Sequence, residues 1–396
     1  MNSQPHYARS GSSQFRLIRR ALFLGGFATF SQLYFVQALL PLLAQSFAIT
    51  PAQSSWAVSA STLSMAAGML LNGLFADRFD RKRWMVTSLL TSSILTLASA
   101  LAPNFAILVF ISALKGVALS GLSAVAMSYM SEEIEPSQFG RSMGLYITGN
   151  ILGGLSGRVT ASLLADHFSW QIAAALIGLI SLLMGLEFYR SLPRSRNFIP
   201  RAMQLSDMLD NARLHLSDGR MIGLFMFTFL MMGSFVSVYN YLGFRLISAP
   251  FNLPHAAVGA IFMVYVMGMV GSFGAGIAME KLGREWLLWR LTAMALLGLL
   301  LTLLPYVAAI VAGLIVFTAT FFAAHTIASS WVSQRAKVGK ATATSLYLFA
   351  YYVGSSLIGS SSGMVMHAAG WHGLVAMLAC AMSISLAISV WLPKKV

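Results

Sequence analysis

Residues 73–84 read GLFADRFDRKRW, and residues 276–287 read GIAMEKLGREWL. Gly73 aligns with Gly276, Asp77 with Glu280, Arg78 with Lys281 and Arg81 with Arg284, all at one offset of 203. Six of the first twelve residues are charged, in a chain with only 26 Lys+Arg and 12 Asp+Glu among 396 residues. The rest is strongly apolar: 57% of the chain, with a mean hydropathy of +0.74. Soluble domains carry about a quarter charged residues. Apolar surface on this scale needs lipid as its solvent, so the two charged stretches read as hinges between membrane spans.

Working outward from the hinges, apolar runs recur twelve times, near 21–43, 56–76, 84–102, 105–130, 142–165, 170–189, 221–243, 257–279, 286–304, 306–331, 342–368 and 371–392. Each is long enough to cross as a helix, the form in which lipid forces a single segment to close its backbone hydrogen bonds. The opening RLIRRALFLGG has the look of a twin-arginine signal, but the run behind it is too long for one and is expected to remain as the first span. The longest polar stretch, 190–220, divides the chain into an N-terminal bundle (1–189), a linker (190–220) and a C-terminal bundle (221–396).

Charge sets the orientation. Alternate connections hold 23 of the 26 Lys and Arg residues; Arg245 is alone on the other side, and Lys115 and Arg158 lie inside spans. This asymmetry is the positive-inside pattern and places both termini in the cytoplasm. It also explains the net charge of +14 without a nucleic-acid partner. All eight Trp fall at span ends, where indoles favour the headgroup layer. One cysteine, Cys380, rules out an intramolecular disulfide framework.

The repeat runs beyond the hinges. GNILGGLSG (149–157) in the fifth span has a counterpart in GSSLIGSSSG (354–363) in the eleventh, and Trp170 and Trp371 each open the last span of their half. Matching marks at matching places imply two parallel repeats. Twelve spans, cytoplasmic termini, a central linker and G-x-x-x-D-R after the second span resemble the major facilitator superfamily, in particular its bacterial drug- and sugar-efflux-like members. The resemblance implies an all-α membrane fold of two pseudo-symmetric six-helix bundles and transport by alternating access. Four positions depart from the family's motifs: Asp80 replaces the hinge glycine, Ser112 and Lys115 replace an Arg and a Gln in the fourth span, and Asn150 replaces the proline after Gly149.

The hinge carries two compatible readings. Its charges keep the loop in the cytoplasm. By resemblance it is also a gating latch: Asp77 docks on the N-terminus of the eleventh span, near Thr342 and Thr344, and Arg81 pairs with acids across the domain interface. Gly73, Arg78, Gly276, Glu280, Lys281 and Arg284 belong to the same gating set.

By resemblance, spans one, four, seven and ten line a central cavity. Polar residues there are costly unless they face water, substrate or each other. The candidates are Gln32, Tyr34 and Gln37 in span one, Tyr239, Asn240 and Tyr241 in span seven, and Thr318, Phe322, His325 and Ser329 in span ten. Gln32 and Gln37 stand about 140° apart on a helix. Helix packing accounts for any one of these residues equally well. Lys115, some ten residues into span four, sits near the midplane, and Arg158 in the outer part of span five. An ionisable group at such depth marks a functional site, or else a lysine bonded to carbonyls or neutralised by burial. No carboxylate lies at that depth, so a proton relay would fall to Lys115, His325 or a rim acid.

The expected function is a secondary carrier for a small molecule in the inner membrane: a proton-coupled exporter of a drug-like or sugar-like compound, or a carrier of organic anions using Lys115 and Arg158. It is expected to be monomeric and to need no cofactor or metal. A nucleotide-driven pump lacks its phosphate loop, since Gly339-Lys340 has neither the earlier Gly nor the following Ser or Thr. A membrane enzyme is disfavoured, with no H-E-x-x-H, no G-x-S-x-G and no paired intramembrane carboxylates expected.

Overall fold

A computed structural model describes residues 7–75, 78–198 and 205–392. It is all-α. The helices are α1 (Ser13–Ser46), α2 (Pro51–Ser54), α3 (Trp56–Phe75), α4 (Arg81–Ser99), α5 (Phe105–Glu133), α6 (Pro136–His167), α7 (Trp170–Ser191), α8 (Leu205–Leu216), α9 (Gly219–Ile247), α10 (His255–Ile261), α11 (Val266–Leu282), α12 (Arg284–Leu301), α13 (Val307–Arg335) and α14 (Lys340–Trp391). α14 holds the last two spans. Gly370, at φ 62° and ψ −161°, breaks it where only glycine is comfortable. Among the described residues, seven helices are by themselves long and apolar enough to cross a membrane, with α14 counted once and α10 joined to α11. α4 and α12 fall short because they open in charge, and α6 because Gly, Ser and two Arg dilute it.

Caps fix the helix starts. Side chains of Asn104, Ser169 and Asp80 accept from the N–H groups of Ile107, Ile172 and Arg83. These bonds satisfy donors that a helix start leaves open. Asp80, where the family motif has glycine, is thus the N-cap of α4. The eighth span differs from a plain helix. Between α10 and α11 the chain makes a 3-10 turn, Phe262–Tyr265. With three residues per turn, Phe262 and Tyr265 fall on one side. Their rings meet Tyr239 at 5.7 and 4.6 Å.

Two compact units are present. One comprises the chain to Val36 with Ser64–Leu205; the other comprises Gln37–Leu63 with the chain from Ser206. In the first, Leu22, Leu89, Leu122, Val125, Tyr129 and Phe188 build a buried core. In the second, Phe235 stacks on Phe321 at 4.0 Å and on Phe317 at 5.6 Å.

The repeat is visible in packing. Gly149 of α6 lies against the carbonyl of Phe23 in α1, and Gly354 of α14 lies against the carbonyl of Phe229 in α9. Small residues let helix backbones approach where lipid supplies no hydrophobic drive between helices. Arg81 reaches Glu132 at the end of α5, and its repeat mate Arg284 reaches Gln334 at the end of α13.

Arg81 has a local acid as one of its partners. Nη2 and Nε of Arg81 bond Glu132 at 2.8 and 3.3 Å within the first unit, and its guanidinium lies over Phe198 at 4.8 Å. The antiparallel packing of α4 on α5 brings the start of one to the end of the other, so the nearest acid is local. Asp77 and its latch contact lie outside the described residues.

Candidate functional site

Two buried cations lean on one stretch of α1. Lys115, on α5, is 1% exposed, and its Nζ lies 4.9 Å from the Phe35 ring centroid. That Nζ has no hydrogen-bond partner among the described residues. Arg158, on α6, is 2% exposed and stacks 4.3 Å over Tyr34. Its Nη1 donates to the Gly154 carbonyl at 2.8 Å. Tyr34 and Phe35 are adjacent on a helix, so their side chains diverge by about 100°. α5 and α6 therefore bring one cation each to neighbouring flanks of α1. Ring faces attract cations and offset part of the cost of taking them out of water. No carboxylate stands at this level: every described Asp and Glu lies at a helix end, in a connection or on α8.

The two glutamines of α1 part company, as their angular separation requires. Gln32 accepts from Thr96 at 2.9 Å and donates to the Ala28 carbonyl at 3.1 Å in the first unit. Gln37 donates to Asn240 at 2.8 Å in the second.

The other candidates share the second unit, where the Phe235 ring meets Tyr239 and Phe322 at 5.0 and 5.6 Å. Tyr239 bonds Thr318 at 2.6 Å, and Tyr241 donates to the Gly359 carbonyl at 2.8 Å. His325 Nδ1 is 2.9 Å from the Tyr347 hydroxyl, and its ring centroid is 4.8 Å from that of Tyr351. Phe322 meets Phe235 and Tyr265 edge-on, while Ser329 turns back to the Thr326 carbonyl. The hinge residues Arg78 and Lys281 are exposed, and a side chain at Gly276 would meet open space.

Sequence reasoning passed over several polar groups. Tyr347 and Tyr351 sit one helical turn apart in span eleven, a spacing that was there to be read. So was the run Ser55, Ser59, Thr62. Thr62 bonds Ser356 at 2.8 Å, and Ser360 donates to Ser59 at 2.7 Å, all within the second unit. Glu133 is fully buried, and one of its oxygens accepts from Ser195 Oγ and from the N–H groups of Arg196 and Asn197 at 2.6–2.9 Å. Residues 359–363, GSSSG, correct the expectation that no G-x-S-x-G is present, since they spell that pattern of a nucleophile elbow. They lie inside α14, where Ser361 bonds the Ile358 carbonyl, and have no strand-to-helix turn to expose a nucleophile.

The chemistry on offer is binding: cations for an anion, amides and hydroxyls for hydrogen bonds, and aromatic faces. The sequence profile of the Major Facilitator Superfamily matches residues 22–359. Over 394 residues the chain is 43% identical to the inner membrane transport protein YnfM of Escherichia coli (strain K12), covering 99% of this chain and 94% of that one. A niacin transporter, NiaP of Acinetobacter baylyi, is 36% identical over 36% of this chain and 32% of its own. The crystal structure of a D-xylose-proton symporter shares the fold with a TM-score of 0.77 at 15% identity, covering 96% of this chain and 98% of that one. With the twelve-span fold, the repeated glycine packing and these matches together, the chain belongs to the major facilitator superfamily of membrane transporters.

Proposed function

We propose that this transporter is a secondary carrier of small organic anions, working by alternating access, with Lys115 and Arg158 as its charge-selecting residues. The observation that carries the reading is Lys115: buried, without a hydrogen-bond partner among the described residues, and without a carboxylate at its level. A lone buried cation costs several kcal/mol, and an anionic substrate is the partner that would offset it. The partial match to a niacin transporter agrees with a small organic substrate. The carrier acts as a monomer in the inner membrane, and its charge asymmetry supports cytoplasmic termini.

Proton-coupled export is the second reading. It rests on the efflux-like motifs and on His325, an ionisable ring inside span ten with a fixed Tyr347 partner. Purified protein in liposomes separates the two. Carboxylates, neutral sugars and cationic drugs are each offered with and without a pH gradient. The anion reading expects carboxylate transport that falls at least about tenfold in Lys115→Met. That variant should melt no lower than the wild type, because an expensive buried charge is gone. Lys115→Arg keeps part of the activity, since Arg stays charged. Carboxylate transport by Lys115→Met at the wild-type rate sinks the reading, and so does a carrier that moves only neutral or cationic compounds.

A further inference from the structure

Ser88 of α4 reaches into the backbone ladder of α5. Its Oγ accepts from the Leu122 N–H at 2.8 Å and donates to the Ala118 carbonyl. Those two groups, four residues apart, are the partners of one rung in a regular helix. We propose that α5 bends at this rung during transport, and that Ser88 is the positioning residue that keeps both groups satisfied while the rung opens. The stretch that carries Lys115 then moves, and the C-terminal end of α5 does not. The effect on Lys115 rests on the anion reading above; the bend itself does not.

Three observations lead there. The first is the cost of opening. In lipid an opened rung leaves an N–H and a carbonyl without water, and a serine hydroxyl from a neighbouring helix can satisfy both. Ser88 is 8% exposed and already bonds the two groups. Gly121 allows that approach: a methyl group there would lie 3.0 Å from Cβ of Ser88 and 3.1 Å from its Oγ.

The second is anchorage. Beyond the rung, α5 is tied down at its end. Tyr129 donates to the Pro193 carbonyl at 2.9 Å, Glu132 takes Arg81 at 2.8 Å, and Glu133 accepts from Ser195, Arg196 and Asn197. Before the rung lies Lys115, whose Nζ has no hydrogen-bond partner among the described residues. A helix held at one end moves its other stretch most readily at the rung that opens at least cost.

The third is asymmetry. At the offset of the repeat, 203 residues after Ser88, stands Leu291, which has no hydroxyl. Its neighbour Thr292 turns back to the Leu288 carbonyl of its own helix. The device belongs to the first repeat, the one that carries Lys115, and shared packing of the two halves does not account for it.

Distances between spin labels, on a Cys380→Ser background, test the bend. One pair sits on Phe110, before the rung, and Ile172, at the start of α7. The other sits on Met127, beyond the rung, and Leu186, near the end of α7. All four side chains are exposed. The first pair should give a broader distribution than the second, and Ser88→Ala should narrow it without lowering the melting temperature. In liposomes Ser88→Ala should reduce the maximal rate of carboxylate transport about tenfold and leave KM within about twofold, because stranded backbone groups penalise the bent state and not binding. Ser88→Cys, a weaker donor and acceptor at the same place, should recover part of the rate. Equal widths for the two pairs overturn the bend, as does a first-pair width that Ser88→Ala leaves unchanged while the melting temperature falls, the result for a serine that only joins α4 to α5. Narrowing with an unchanged maximal rate overturns its part in transport. If neither protein moves a carboxylate, the anion reading fails and the distances alone decide the bend.

Discussion

Asp218 does two jobs at the start of α9. One oxygen accepts from the Arg220 N–H at 3.0 Å as the helix cap, and both oxygens take Arg335 at 2.6 and 2.9 Å. Burial pushes its carboxyl up, but the Arg335 bonds and the backbone N–H groups of Arg220 and Met221 outweigh it and hold the pKa below the usual value. A carboxyl lowered in the folded state stabilises above its unfolded pKa of about 4. That contribution is lost as pH falls through the folded value. Asp218→Asn keeps the cap and loses the charge, so it should cost about 1 kcal/mol at pH 7. Melting in detergent should show the gap closing as pH drops below about 4. A gap that stays constant to pH 3 assigns the effect to something other than this ion pair. At this scale the sequence is most readable where chemistry breaks a pattern. Lys115 and Arg158 stand out because a charge inside an apolar run is rare and costly to bury. Glu133 does not stand out, because an acid at a span end looks topological. Its nest of donors comes from residues 195–197, a distant connection that periodicity does not link to it.

Helix contacts in this molecule depend on glycines at definite places. A methyl group on Gly153 would lie 2.0 Å from the Phe27 carbonyl oxygen, and one on Gly157 would lie 2.7 Å from that of Ser31. Neither neighbour can yield, because each is backbone of α1. Gly140, on the same helix, has nothing within 4 Å of the added carbon. Gly153→Ala should therefore destabilise the first unit by about 1–3 kcal/mol through overpacking. Gly140→Ala should be neutral or slightly stabilising, since alanine favours a helix. Thermal melts of the two variants in one detergent check this, and equal melting would mean that α1 and α6 do not need their close approach. The glycine-rich stretch 149–157 was legible as a mark of the repeat, and the existence and order of the spans were legible too. The 3-10 turn in the eighth span was not. It answers to the rings of Phe262 and Tyr265 packing on Tyr239, and an apolar run gives no hint of a partner in another helix.

For the whole molecule the repeat was the most readable feature, because a duplication leaves the same marks at one offset in both halves. What the offset does not disclose is which neighbours each helix takes. α1 and α3 each contribute to both compact units, with Gln37–Leu63 packed in the second through Pro41 on Gly243, Ser59 on Ser360 and Thr62 on Ser356. Hydrophobic periodicity marks a helix but not its company. Orientation in the membrane, in contrast, rests on charge alone, and it can be tested directly. Cys380 is exposed, so it is first replaced by serine. A single cysteine is then placed at Ser206, in the first turn of α8, or at Asn252, in the turn after α9. Twelve spans with both termini inside put Ser206 in the cytoplasm and Asn252 outside. An impermeant maleimide added to intact cells should label only the Asn252 variant, and the Ser206 variant should react only after the membrane is opened. An odd number of crossings between the two sites separates them, so labelling of both from one face would remove α9 as a span and with it the two-bundle count. Labelling of Ser206 alone from outside would keep the twelve crossings and invert them, against 23 of 26 basic residues.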